Sequence, residues 1–345
     1  MKSFYTTLIT SLLSVATLPL YAAPWEALPN SPPIPADNPQ TEAKILLGKT
    51  LYFDPRLSST GTISCNSCHN VMAGGDDNRP HSVGVEGKQG GRSAPTVWNS
   101  AFLSVQFWDG RASSLEEQAK GPVTNPVEMG MKDWDAVINR LEAVPGYVTL
   151  FKSAFGDDKP LTADNAVKAI AAYERTLITP NSAYDRYVKG DKTALTEQQV
   201  KGMNTFAELG CTSCHAGPNF SGPSLSMGEG FFMKFPTFAG SQYETQYNLT
   251  QDMGRYSATK KEADKHLWRV PTLRNIALTA PYFHNGAVLT LDEAVRVMAK
   301  TQLNQALTDK QAQDIVAFLN ALTGDFPEQT PLRLPSTPGK QIISP

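Results

Sequence analysis

The chain has 345 residues, 41% of them hydrophobic and 19% charged, a globular balance with length enough for two cores. Its formal charge of −2 at pH 7 gives no global basic field of the kind that gathers nucleic acid, although net charge cannot reveal a local docking patch for a redox partner. All four cysteines fall in two short motifs, one in each half.

Met1-Lys2 supplies a positive start, Phe4 to Leu20 a mostly apolar run broken by Thr, Ser and Pro19, and Tyr21-Ala22-Ala23 a small-residue end. Residues 1–22 therefore read as a signal peptide cleaved after Ala22. Losing Lys2 with it takes the charge from −2 to −3. An uncleaved membrane anchor is the alternative, but the run is short and interrupted for a spanning helix, and no other stretch approaches that length. Residues 23–40 are dense in proline without apolar periodicity and read as an extended arm whose role the sequence does not disclose.

From Thr41 to Phe53 the apolar residues Ile45, Leu46, Leu47 and Leu51 suit one face of a helix, ended by Asp54-Pro55. Gly74 to Gly91 is a long loop rich in glycine and charge, a length that usually marks function or disorder. Phe107-Trp108-Asp109-Gly110-Arg111 reads as a turn. Ser113 and Ser114, each with a glutamate three residues on, open a helix through Gln118 that Gly121-Pro122 should stop. Asp133–Val144 and Thr162–Leu177 are helical by period.

Thr179-Pro180-Asn181-Ser182 is the best boundary, dividing the chain into 41–180 and 181–345. Thr196–Leu209, with Thr196 and Gln199 as a capping box, leads to the second cysteine motif. Gly217–Lys265 is irregular, and Thr290 and Thr308 open final helices over Leu291–Lys300 and Asp309–Leu322. Strand signals are weak throughout, so the fold class is mainly α.

The motifs are Cys65-Asn66-Ser67-Cys68-His69 and Cys211-Thr212-Ser213-Cys214-His215. A Cys-x-x-Cys pair alone also suits a redox dithiol, a disulfide or half a zinc site. Histidine at the same offset in both pairs is needed by none of these, and it is the signature of covalent c-type haem attachment. Each thiol adds to one porphyrin vinyl group, and the adjacent histidine stands beneath the iron. Two covalently bound haems c are expected, Cys65, Cys68 and His69 holding one and Cys211, Cys214 and His215 the other. Export to a bacterial periplasm agrees with this, because c-type haem is attached outside the cytoplasm.

The chain resembles the bacterial di-haem cytochrome c peroxidases, a family that includes the MauG-like enzymes. The resemblance spans nearly the whole mature chain and rests on both haem motifs and several blocks in order. These are Ala94-Pro95-Thr96-Val97-Trp98-Asn99, Gln106 to Arg111, Glu117 to Pro122, Asn125 to Met129, Val270 to Asn275, and Leu278-Thr279-Ala280-Pro281-Tyr282-Phe283-His284. It implies two cytochrome c-like helical domains, each with one covalently attached c-type haem, peroxidatic in 41–180 and electron-transferring in 181–345.

The resemblance also implies site roles. Positions matching Gln118 and Glu128 stand on the open side of the peroxidatic haem, where a carboxylate can take a proton from one peroxide oxygen and return it to the other. Without the family, Glu128 is one carboxylate in a proline-rich loop, a type more often solvated. Trp108 matches the tryptophan between the haems, a route for electrons that is compatible with being a core aromatic. Met298 matches the methionine ligand of the second haem; periodicity alone makes it a core residue, with Met227, Met233 and Met253 competing. Histidine–methionine ligation raises the potential and lets that haem hold an electron in reserve.

Two positions depart from the family. The loop histidine that ligates the resting peroxidatic haem in well-studied members falls here on Val85, which cannot ligate iron. His81, four residues earlier, is the substitute, though a histidine in a charged loop is more often exposed. The first haem is therefore expected to be open to peroxide without prior reduction. The family's inter-haem calcium uses an asparagine, here Ser93, with oxygens at positions matching Thr279 and Pro281; serine is the poorer ligand.

The expected activity is reduction of hydrogen peroxide to water with electrons from a small cytochrome c or cupredoxin. Homodimerisation is implied by the resemblance alone. One rival is a MauG-like enzyme oxidising residues of a partner protein, although cofactor-maturing members carry tyrosine where Met298 stands. The other is a non-enzymatic di-haem electron carrier, which has no use for Glu128.

Overall fold

The computed structural model describes residues 25–343, apart from 157, 331 and 340, so the expected leader and its cleavage site lie outside the described residues. In chain order the first half holds α1 (Glu42–Phe53), α2 (Cys65–Cys68), α3 (Leu115–Thr124), α4 (Trp134–Glu142), α5 (Pro145–Phe155) and α6 (Ala163–Glu174). The second holds α7 (Ala183–Val188), α8 (Glu197–Glu208), β1 (Phe232–Lys234), α9 (Gln242–Gln246), α10 (Tyr256–Thr259), β2 (Leu267–Arg269), α11 (Leu291–Leu303) and α12 (Asp309–Asn320). β1 and β2 form one antiparallel pair, with Met233 opposite Trp268. The architecture is mainly helical, as the weak strand signals require. Among the described residues no helix is long and apolar enough to cross a membrane.

Each half is built on one close helix crossing. In the first, Gly48 of α1 faces α6 so closely that an added Cβ would lie 1.8 Å from the Ala169 carbonyl oxygen. In the second, Gly202 of α8 meets the Asp314 carbonyl of α12 at the same distance. Both glycines precede a cysteine motif by less than two dozen residues, so the same device holds the helix that delivers each motif. Around the first crossing Leu47, Leu51, Tyr52, Phe151, Ile170 and Tyr173 form one apolar cluster; around the second, Met203, Phe206, Phe220, Ile315 and Phe318 form another.

Two local expectations are revised. α3 runs through Pro122 to Thr124, because the loop after it takes over the orphaned carbonyls: Met129 N donates to Pro122 O and Met131 N to Val123 O. Residues 133–144 are not one helix, since α4 ends at Glu142 and Val144 becomes the N-cap of α5, with Pro145 in its first turn. α5, a helix not expected from the sequence, forms on the face that carries the buried Tyr147 and Phe151.

The ends of the chain cross over. Trp25 and Leu28 pack into the second half, while Asn38 and Gln40 donate to the Lys168 and Ala172 carbonyls of α6 in the first. In the other direction, Phe326 packs edge-on to Trp98, Gln329 accepts from Tyr173, and the Pro335 carbonyl accepts from Arg56.

Candidate active site

α2 is a single turn in which His69 N donates to Cys65 O at 2.9 Å, so Cys65, Cys68 and His69 project from one wall. The His69 ring is fixed by its Nδ1, 2.9 Å from Pro95 O. A carbonyl only accepts, so Nδ1 carries the proton and Nε2 keeps its lone pair for a metal. Pro95 is held by the glycines after the motif: Thr96 Oγ1 donates to Gly74 O at 2.7 Å and Val97 N to Gly75 O at 2.9 Å. Gly75 has φ 83°, and a Cβ there would meet Thr96 and Trp98 at 2.5 Å, so only glycine lets the two segments touch.

This wall faces a cavity of about 510 Å³ lined by Cys65, Cys68, His69, Trp108, Gln118 and Glu128. Gln118 comes from α3, Glu128 from the loop that takes over that helix's C-terminal carbonyls, and Trp108 from the turn before the helix. Burial raises the Glu128 carboxyl above its ordinary range; Arg111 and Asn125 oppose the rise, Asn125 donating to Oε1 at 2.9 Å. The Trp108 indole N–H donates to Ser93 O at 2.9 Å, and its own carbonyl accepts from Arg269 N.

His81 is not among the residues lining the cavity; its neighbour Ser82 is. Its Nδ1 is buried with no protein partner. Val85, at the family's ligand position, is 2% exposed and its N–H donates to Glu128 O at 2.8 Å.

The second motif repeats the device. His215 N donates to Cys211 O, and the ring Nδ1 lies 3.0 Å from Phe220 O. Burial pushes both histidines below the ordinary imidazole range, which keeps them neutral and able to ligate. Met298 packs in a third apolar cluster with Tyr282, Phe283 and Val288, which shares Ile276 and Leu291 with the cluster around Phe206 and Phe220. Met227 is exposed.

Burial raises the Cys68 thiol to about 11 and the Cys65 thiol higher still. Among the described residues no three His, Cys, Asp or Glu side chains gather as a metal-binding group, which argues against the four-cysteine zinc alternative. At the first motif the donor set fits haem: paired thiols beside a neutral, oriented imidazole, facing a large cavity; the second motif repeats the thiols and the oriented imidazole.

At the proposed calcium position Ser93 Oγ is engaged with Arg79 O at 3.4 Å, while Asn78 reaches the neighbouring segment, donating to Leu278 O and Ala280 O. Thr279 Oγ1 turns back to Ile276 O.

Sequence reasoning missed several residues of this site. Arg92 bridges Asp109 and Asp252, at 2.7 Å to each, and lies over the Trp268 ring. Glu174 lines the cavity with Oε2 unpartnered, and burial raises it to about 8. The one signal for Glu174 was an acid placed at the end of the apolar run Ala169 to Tyr173.

The fold and sites define a helical protein with two histidine-anchored cysteine motifs, one opening on a large cavity. The description "Di-haem cytochrome c peroxidase" matches residues 42–193. The cytochrome c551 peroxidase of Nitrosomonas europaea is 43% identical over 96% of this chain and 95% of its own length. That of Pseudomonas aeruginosa is 45% identical over 84% and 81%. The crystal structure of a MauG-like protein associated with microbial copper homeostasis superposes with a TM-score of 0.75 at 28% identity, covering 91% of this chain and 96% of that one. The chain belongs to the di-haem cytochrome c peroxidase family.

Proposed function

We propose that the protein reduces hydrogen peroxide to water at a haem held by Cys65, Cys68 and His69, drawing electrons through a second haem held by Cys211, Cys214, His215 and Met298. The observation that carries this reading is the single cavity that joins the first cysteine motif to Glu128, Gln118 and Trp108. Haem bound there would supply a redox-active iron at which peroxide could bind.

The chain's own residues do the rest. His69, oriented through Pro95, ligates with Nε2. Glu128 takes the proton from one peroxide oxygen and delivers it to the other, a task suited to a carboxyl raised by burial yet restrained by Arg111 and Asn125. Gln118 orients the bound oxygens. Trp108, anchored at its indole and its backbone, stands as the route from the second haem.

Covalent attachment at both motifs, domains of 41–180 and 181–345, export to the periplasm, and a small cytochrome c or cupredoxin as donor complete the reading. Calcium at Ser93, Thr279 and Pro281 and a homodimer are further parts of it. The first haem is open in the oxidised enzyme, supported by the buried, apolar Val85 at the family's ligand position.

Peroxidase chemistry is favoured over protein oxidation because the relatives named cytochrome c551 peroxidase are more similar than the MauG-like structure. The test is an optical and EPR titration of the oxidised and half-reduced protein, then peroxide addition with a reduced small cytochrome present. Rapid donor oxidation from the oxidised state is expected. A low-spin bis-histidine first haem that is lost in His81→Ala would defeat the open site, and undiminished turnover in Glu128→Gln would favour an electron carrier.

A further inference from the structure

The N-terminal arm begins inside the second half. The Trp25 indole packs against Tyr184, Phe220 and Phe318 with ring centroids at 6.1, 6.2 and 5.9 Å. Those three rings also touch one another, Tyr184 to Phe220 at 5.1 Å, so Trp25 completes a four-ring cage. The arm is fastened just after the indole: the Tyr184 hydroxyl donates to Glu26 O at 3.2 Å, and Leu28 N donates to Asp185 Oδ1 at 2.9 Å. The Asp185 carboxylate is paired at 2.8 Å with Arg274, both fully buried, and Arg274 lies over the Tyr184 and Phe220 rings while donating to Pro218 O.

Phe220 is the member of the cage that matters for chemistry. Its carbonyl is the acceptor for His215 Nδ1, and its φ of 51° is a conformation a bulky side chain adopts only when its surroundings hold it. What holds it is the cage, together with its own N–H on Gly217 O at 3.1 Å.

We propose that Trp25 is a positioning residue for His215: by packing on Phe220 it fixes the carbonyl that orients the imidazole, and so tunes the second haem. The inference rests on His215 being that haem's axial ligand. A firm Nδ1–H···O=C bond makes the imidazole more basic, which favours ferric over ferrous iron. Releasing Phe220 weakens the bond and makes the second haem easier to reduce. Water entering a loosened cage would do the opposite, because it favours the more highly charged ferric form.

The experiment is spectroelectrochemical titration of the holoprotein as wild type, Trp25→Leu and Trp25→Phe, following each haem by its own spectrum. In Trp25→Leu the ratio of reduced to oxidised second haem at the wild-type midpoint should rise by about threefold or more, with the first haem unmoved. Trp25→Phe, which keeps a smaller ring in the cage, should rise less. If Trp25→Leu gives no holoprotein, Trp25→Phe carries the test in the same direction. An unchanged or lowered second-haem potential, or an equal shift of both haems, overturns the inference. The wild-type spectrum separates this from failure of the underlying reading: a second haem lacking a low-spin, histidine-ligated signature removes both.

Discussion

The amide of Val85 donates to the carbonyl of Glu128 at 2.8 Å, tying the loop that follows the first cysteine motif to the loop that carries the proposed catalytic carboxylate. A residue whose side chain cannot ligate iron is thereby, through its backbone, part of the frame that holds the Glu128 loop. Gly84 makes the contact closer still, facing Val127 O and Glu128 O with no side chain between.

Glu128→Gln keeps the shape of the site and the hydrogen-bonding reach but loses the proposed proton shuttle. Peroxide turnover should fall by about 10²-fold or more, with haem content and donor binding unchanged. Steady-state kinetics with a reduced small cytochrome would measure this.

Arg111→Gln should alter the pH profile. Burial already raises the Glu128 carboxyl, and Arg111 is the charge that restrains it. The group must be ionised to accept the peroxide proton, so activity is lost as pH falls through its pKa. Without Arg111 that pKa rises, and the acidic limb of kcat/KM against pH moves to higher pH. An acidic limb that stays in place or moves down would show that Arg111 does not act on Glu128.

Gly84→Ala tests the seam between the loops. A Cβ there would meet Val127 O at 2.1 Å and Glu128 O at 2.4 Å, and both are backbone atoms. The backbone must shift, at a cost of about 1–3 kcal/mol, so chemical denaturation should show lower stability and turnover should drop with it. Gly87→Ala in the same loop has no atom within 4 Å of its Cβ and serves as the comparison for local crowding, though its φ of 73° carries its own strain.

Glu174→Gln should flatten the dependence of stability on pH. Burial raises this carboxyl to about 8 in the folded protein, so the native state retains a proton that the unfolded chain releases in the ordinary carboxylate range. Stability is therefore full below that range and is lost as pH rises towards and through about 8. The variant should gain about 2–4 kcal/mol over wild type above pH 8 and nothing near pH 4. Thermal melts of the two proteins across that window check the sign and the size.

Much of the site was readable because its chemistry is local in sequence. Two thiols and an imidazole within five residues make a motif at once, and helix starts were legible where Thr41, Thr162, Thr196, Thr290 and Thr308 each cap a helix with the hydroxyl. Pairings between distant segments were not readable. Pro95 and Phe220 serve His69 and His215 through backbone carbonyls, which any residue could offer. α3 outlasted Pro122 because a later loop satisfied what the proline disturbed. Glu174 looked like an ordinary helix acid, since only tertiary packing removes its water.

The crossing of the two chain ends gives the molecule an order of completion. Trp25 is among the first described residues yet closes a cage made by Tyr184, Phe220 and Phe318, while Phe326, Gln329 and Pro335, near the other end, finish the surface of the half built first. Neither half has all its neighbours until nearly the whole polypeptide is present. A split of the chain at Pro180 would leave each fragment without a segment that the other carries, so the pair should regain native spectra only when mixed.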